Sequence, residues 1–325
     1  MVMTQQQTDE QYMRRCLQLA GNGLLTTKPN PMVGAVIVSG HGRIIGEGFT
    51  SPVGGPHAEV NAFASVSKQD EPLLPDSTIY VSLEPCSHWG HTPPCCDLII
   101  SKGVRRCVCG CVDPFAKVQG RGIKRMMEAG IEVTVGVLEN ECKAMNRRFI
   151  TFNEKHRPYI ILKWAQTANG KIGIDNSQLI LSSPFTQMLS HKLRAENDAI
   201  LVGRGTLTSD NPQLTTRQWS GKDPERIVLS HHGDGIPTGF TWCNSIDNLL
   251  QYLHENKRQS LIVEGGANVL RQFIDRDLWD EIRIETAPFT VNCGIEAPVL
   301  PYEAKLHKTE GYDGNCIRWF VKNRP

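Results

Sequence analysis

The chain has 325 residues, 40% hydrophobic and 21% charged, with a formal net charge of +1 and 11 cysteines. That length suits two ordinary domains, and the near-neutral charge gives no global electrostatic case for nucleic acid or an anionic membrane. No run of about 18 apolar residues occurs, and the polar start MVMTQQQTDEQY lacks a signal-peptide core, so a cytoplasmic protein with reduced thiols is expected.

In chain order, Thr8 and Gln11 have the spacing of a capping box, opening a helix on which Tyr12, Met13, Cys16, Leu17 and Ala20 recur at helical intervals. MVGAVIV and RIIGEGF read as strands joined by the turn SGHG. A helix from about His57, the strand STIYVSL and a helix from about Pro94 follow. RRCVCGCV reads as a strand, GRGIKRMMEAG as a helix closed by Gly130, and IEVTVGV as another strand. Cys107, Cys109 and Cys111 share one face of their strand and read as small buried thiols. ENECKAMNRRFITFNEKHRP reads as a last helix running into a charged linker, so the expected domains are 1–150 and 151–325.

The second half restarts the alternation with the strand YIILKWA, then a helix from Ser183-Pro184 to about Glu196. DAILVG, RIVLS and SLIVEGG read as strands, IDNLLQYLHENK and ANVLRQFIDRD as helices, and EIRIETAPF and CIRWFVKN as closing strands. Both halves are therefore α/β. LVGRGTL lacks the third glycine of a Rossmann fingerprint. Basic pairs such as Arg105-Arg106 and Arg147-Arg148 read as solvated surface, so no nucleic-acid partner is expected.

The chemistry of the first half concentrates in GGPHAEV and LEPCSHWGHTPPCC. A catalytic zinc takes three protein ligands and keeps one position open. His57, Cys86 and Cys95 supply an imidazole and two thiolates, although spacing alone also admits Cys96. Glu59 is free to act on a water whose pKa zinc brings to about 7. H-x-E followed by P-C is the pattern of zinc deaminases, here with an eight-residue second gap, SHWGHTPP. A closed structural zinc site would need a fourth ligand, with His88 and His91 the nearby candidates. An editing protein would need a basic, aromatic groove that the sequence does not offer.

PNPMVGAVIV, PHAEV, YVSLEPCSHWGHTPPCCDLII and DPFAKVQGRGIKRMMEAGIEV together resemble, over nearly the whole first half, the deaminase domain of the bifunctional riboflavin-biosynthesis deaminase/reductase (RibD) family. The long cysteine gap is that family's own pattern. PYIILKWAQTANGKI, KLRAENDAILVGRGTLTSDNPQLTTR and LIVEGGANVL are similar, more loosely, to its reductase domain. The resemblance implies a three-layer, cytidine-deaminase-like zinc domain followed by a dihydrofolate-reductase-like α/β domain. It implies zinc on His57, Cys86 and Cys95, Glu59 as proton shuttle, and Asn30, His88 and Asp113 on a phosphoribosylaminopyrimidine. In the second half it implies NADPH on Ala165, Thr206, Asp210, Gly265 and Gly266, and substrate on Ser177, Arg194, Leu214, Arg217 and Glu264, with Lys163 assisting proton transfer. Gly265-Gly266 also suits a phosphate through bare backbone amides, or a plain tight turn. The family has a His at Thr50, a basic residue at His91 and an Asn at Phe115. The expected function is zinc-dependent deamination of 2,5-diamino-6-(5-phosphoribosylamino)pyrimidin-4-one, then NADPH reduction of the ribosyl chain, by a homo-oligomer (dimer or tetramer). The alternative is a deaminase whose second domain binds without reducing.

Overall fold

The computed structural model describes residues 3–89, 93–114, 120–174 and 179–322. They divide into two compact units, Met1–Lys155 and His156–Pro325. In the first, helix α1 (Gln5–Gly21) precedes strands β1 (Gly34–Val38) and β2 (Ile44–Phe49), helix α2 (Ala58–Ala64) and β3 (Thr78–Val81). Helix α3 (Cys95–Lys102), β4 (Arg106–Cys109), α4 (Arg121–Glu128), β5 (Glu132–Val135), α5 (Glu139–Met145) and α6 (Arg147–Lys155) complete it. The sheet order is β2-β1-β3-β4-β5, with β1 antiparallel to both neighbours and β3, β4 and β5 mutually parallel. All five residues of GAVIV and the last three of TIYV and RCVC are buried. Strands covered on both faces lose the polar alternation that one wet face would impose.

Two expected elements differ. Helix α1 is capped by Thr4, whose hydroxyl accepts the Gln7 amide while the Gln7 side chain returns to the Thr4 amide. Thr4-Gln7 and Thr8-Gln11 have the same spacing, and the earlier box wins because each added turn contributes backbone hydrogen bonds, here Thr8 N to Thr4 O at 3.0 Å. The expected single helix after residue 138 is two. Asn146 interrupts it, accepting the Met32 amide at 2.8 Å and donating to the Met32 carbonyl at 2.9 Å. That contact fixes the segment entering β1.

Gly46 and Gly48 let α2 lie directly on β2. A methyl at Gly48 would overlap the Ala58 carbonyl and the Ala62 amide. Because α2 carries His57 at its N-cap and Glu59 in its first turn, Gly48→Ala is expected to cost about 1–3 kcal/mol by overpacking and to weaken zinc retention. A titration against a zinc-competing chelator checks this.

The second unit runs β6 (Tyr159–Gln166), β7 (Lys171–Gly173), α7 (Pro184–Ala195), β8 (Ala199–Gly203), α8 (Arg204–Asp210), β9 (Glu225–Leu229) and β10 (Thr241–Cys243). It continues with α9 (Ile246–Glu255), β11 (Ser260–Val263), α10 (Ala267–Asp275), β12 (Glu281–Thr286), β13 (Ile295–Glu296), β14 (Ala304–Tyr312) and β15 (Asn315–Lys322). Its main sheet has the order β10-β9-β8-β11-β6-β12-β15-β14. Pairing is parallel from β10 to β12, and β15 runs against both its neighbours. Ile160, Leu162, Leu201 and Val263 pack on Leu249 and Leu253 of α9 and on Leu270 and Phe273 of α10. On the other face Ile161, Ile200, Val202 and Ile262 pack on Leu193 of α7. The period of two along each strand thus feeds two separate apolar layers. No helix among the described residues is long and apolar enough to cross a membrane.

Candidate active sites

In the first unit, register gathers the candidate residues at one end of the sheet. Ala35 lies opposite Val81 and Gly34 opposite Phe49, so the start of β1 adjoins the ends of β2 and β3. Asn30 precedes β1, His57 and Glu59 follow β2, Cys86 and His88 follow β3, and Asp113 follows the parallel strand β4. Cys95 is the first residue of α3.

The donor atoms of His57, Cys86 and Cys95 lie within 4.8 Å of one another. His57 Nδ1 stands 3.6 Å from Cys86 Sγ and 3.3 Å from Cys95 Sγ. Tetrahedral zinc with bonds of about 2.3 Å to sulfur and about 2.0 Å to nitrogen separates those donors by about 3.5 Å. The residues present therefore fit zinc. Cys86 Sγ also accepts the Cys95 backbone amide at 3.2 Å, an outer-sphere bond that orients the thiolate. Within the pair of thiols, the hydrogen bond from Cys95 draws Cys86 down to about 4 and pushes Cys95 up. Cys96 is fully buried in the apolar core, its thiol 3.6 Å from the Asp97 carboxylate. The choice that spacing left open falls to Cys95. Glu59 is 4% exposed. Burial raises its carboxyl to about 7, with the Cys86 charge adding to the effect. Its side chain reaches the Cys95 thiol.

Asp113 is buried, whereas Asn30 and His88 are exposed. The Thr50 hydroxyl accepts the Val33 amide at 3.1 Å, a local structural use. His91 and Phe115 lie outside the described residues, as does Ser177 in the second unit.

In the second unit a cleft of about 780 Å³ opens beyond the carboxyl ends of β8, β9, β10 and β11, where open α/β sheets bind ligands. Thr206 and Gly266 both line it. A methyl on Gly266 would come 3.3 Å from the Thr206 hydroxyl. Gly265 answers to packing, since a methyl there would press within 2.8 Å of Val269 on α10. Asp210 ends α8, exposed, and accepts from Ser209 at 2.7 Å. Ala165 lies on β6 beside Glu285 of β12.

A second group forms on the α7 side of the sheet. Arg194 donates to both Glu264 oxygens, at 2.8 and 3.2 Å, and to the Thr215 carbonyl at 3.2 Å. Lys163 Nζ lies 3.8 Å from Glu264. Burial opposes the Glu264 charge, yet Lys163 and Arg194 outweigh it and hold this carboxyl down to about 2. Burial lowers Lys163, and Glu264 partly restores it. Arg217 is exposed and touches the Thr215 hydroxyl at 3.3 Å, while the Leu214 side chain is buried in the apolar layer under α7. The structure thus joins Lys163, Arg194 and Glu264 in one network and Thr206 and Gly266 in one cleft.

Residues 6–111 match the model of the cytidine and deoxycytidylate deaminase zinc-binding region, and residues 158–300 that of the RibD C-terminal domain. The riboflavin biosynthesis protein RibD of Aquifex aeolicus is 35% identical over 322 residues, covering 88% of this chain and 89% of that one. The Escherichia coli RibD is 41% identical over 318 residues, covering 90% and 85%. A Thermotoga maritima crystal structure, titled a diaminohydroxyphosphoribosylaminopyrimidine deaminase/5-amino-6-(5-phosphoribosylamino)uracil reductase, superposes with a TM-score of 0.89 at 33% identity. That superposition covers 98% of this chain and all of that one.

The chain belongs to the RibD family. It is a bifunctional enzyme of riboflavin biosynthesis, with a zinc-dependent, cytidine-deaminase-like domain and a RibD reductase domain that uses NADPH. The reading in which the second domain binds without reducing is not favoured.

Three polar residues of these RibD-family domains escaped the sequence reading. Arg283 and Glu285 on β12 are 1% and 0% exposed. Arg283 is paired in register with Lys163, and Glu285 accepts from Ser182 at 3.0 Å and Asn315 at 2.6 Å. The available signal was the alternation EIRIE in a strand with no wet face. Glu84, two residues before Cys86, is 3% exposed and ties down another segment. Its only signal was a lone carboxylate in an apolar stretch.

Proposed function

We propose that the first unit deaminates 2,5-diamino-6-(5-phosphoribosylamino)pyrimidin-4-one and that the second reduces the ribosyl chain of the product to the ribityl form. The observation that carries this reading is the buried carboxylate of Glu59 set against a His-Cys-Cys donor triad of zinc dimensions. His57, Cys86 and Cys95 hold the metal. Zinc, when bound, polarises the attacking water and lowers its pKa. Glu59 accepts a proton from that water and delivers one to the departing amine, so that water and the ring amine become a ring carbonyl and ammonia. Asn30, His88 and Asp113, from three loops at one end of the sheet, hold the pyrimidine and its ribosyl phosphate.

In the second unit Ala165, Thr206, Asp210, Gly265 and Gly266 hold NADPH, which supplies the hydride when bound. Ser177, Arg194, Leu214, Arg217 and Glu264 receive the ring-opened ribosyl phosphate. Lys163, oriented by Glu264 in a site that disfavours its charge, gives up the accompanying proton. The enzyme works in the cytoplasm as a homo-oligomer, dimer or tetramer, on a small molecule and without nucleic acid or membrane.

The test is a coupled assay in which the diaminopyrimidinone substrate and NADPH are supplied together and ammonia and NADPH loss are followed. Both signals are expected from zinc-loaded enzyme. Stripping zinc with a chelator abolishes both, and adding the deaminated intermediate directly restores NADPH loss alone. Ammonia from the diaminopyrimidinone without NADPH loss, together with no NADPH loss on the deaminated intermediate, sinks the reductase assignment.

A further inference from the structure

We infer that Glu84 is a positioning residue for the deamination substrate, acting through Asp113; this rests on the substrate role proposed above for Asp113. Glu84 follows β3 and is fixed by its own backbone, whose amide donates to the Cys111 carbonyl at 2.9 Å. Its carboxylate receives four backbone amides. One oxygen accepts from Asp113 at 3.3 Å and Gly120 at 2.9 Å, the other from Gly122 at 3.0 Å and Ile123 at 3.4 Å. Close approach is built in, because a methyl on Gly122 would overlap the Pro85 carbonyl.

A cap for α4 needs only the amides of its first turn. Here the same carboxylate also takes the amides of Asp113 and of Gly120, which precedes α4. It therefore pins Asp113 to the helix start from a segment that, two residues later, supplies Cys86. The distance between the metal ligand and the backbone of Asp113 is thereby set by one short stretch, residues 84–86, whose Glu84 is buried. Fixing a substrate contact this way acts on binding rather than on the proton transfers at Glu59.

Glutamine at this position keeps the volume but offers one carbonyl oxygen, and its amide nitrogen confronts the other pair of N–H donors. Glu84→Gln in the full chain is therefore expected to raise the deamination KM by roughly tenfold, with a much smaller change in kcat. Zinc should stay at one per chain, and NADPH oxidation on the deaminated intermediate should match wild type. If Glu84 works through Asp113, the double variant Glu84→Gln/Asp113→Asn should show the KM of Asp113→Asn alone. A wild-type KM for Glu84→Gln, full additivity in the double variant, or loss of zinc together with turnover would each overturn the inference. A wild-type KM for Asp113→Asn removes the substrate role of Asp113 itself, and that outcome is separable from failure at Glu84.

Discussion

Glu59→Gln is expected to lower ammonia release by about 10²–10⁴-fold, the range over which a positioned proton-transfer group contributes. The side chain is 4% exposed and reaches the Cys95 thiol without being needed among the three metal-holding donors. Zinc content should therefore remain at one per chain, measured by metal analysis on the same sample. Glutamine preserves the shape and cannot take a proton from water. In the coupled assay NADPH loss should fall with ammonia when the diaminopyrimidinone is supplied, and recover when the deaminated intermediate is added. Ammonia release within tenfold of wild type would remove Glu59 from the chemistry.

The second large effect is on stability. Glu264→Gln leaves Lys163 and Arg194 buried without their shared counter-charge, at 12% and 13% side-chain exposure. Removing one partner of a buried ion network costs about 3–5 kcal/mol, so the urea midpoint of the second unit should fall well below that of wild type. Five of the six tryptophans, Trp164, Trp219, Trp242, Trp279 and Trp319, belong to that unit, and their fluorescence reports it. The pH dependence has a definite sign. Glu264 is held down to about 2 against an ordinary value of 4.5, so between those values the unfolded chain binds the extra proton. Its contribution is complete above about pH 4.5 and is lost as pH falls toward 2. The Gln variant should lose this part of the acid sensitivity, and a wild-type acid profile in the variant would contradict the network.

Much of the architecture could be read from local pattern. YIILKWA, DAILVG and SLIVEGG are apolar, β-rich runs that become β6, β8 and β11, because a strand covered on both faces selects such residues on both. Ser183-Pro184 marked the start of α7, with the Ser183 hydroxyl accepting the Thr186 amide. Strand β14 was missed. AKLHKTEGY is largely exposed and sits at the sheet edge, paired only with β15, so no burial pattern marks it, and its strand state comes from hydrogen bonds to a neighbour. Helix α8 was missed for a different reason. RGTLTSD has seven residues and one buried side chain, Leu207, too short for a helical period to show.

The metal site was the most legible feature. Its three ligands and the proton-transfer carboxylate sit in two short stretches, and H-x-E with P-C constrains residue types as well as spacing. What spacing left open was Cys95 against Cys96, adjacent residues that point to different places from the first turn of α3: one faces His57 and Cys86, the other the core. The sequence by itself thus determined the two-part α/β organisation and the donor chemistry, because strand burial, helix caps and ligand types are written in residues close along the chain. Only the tertiary structure decided which cysteine meets the histidine, that Arg194 is engaged by Glu264, and that Arg283, Glu285 and Glu84 are buried charges. Each of those depends on partners dozens of residues away, brought into hydrogen-bond range by sheet order and register, which no local pattern encodes.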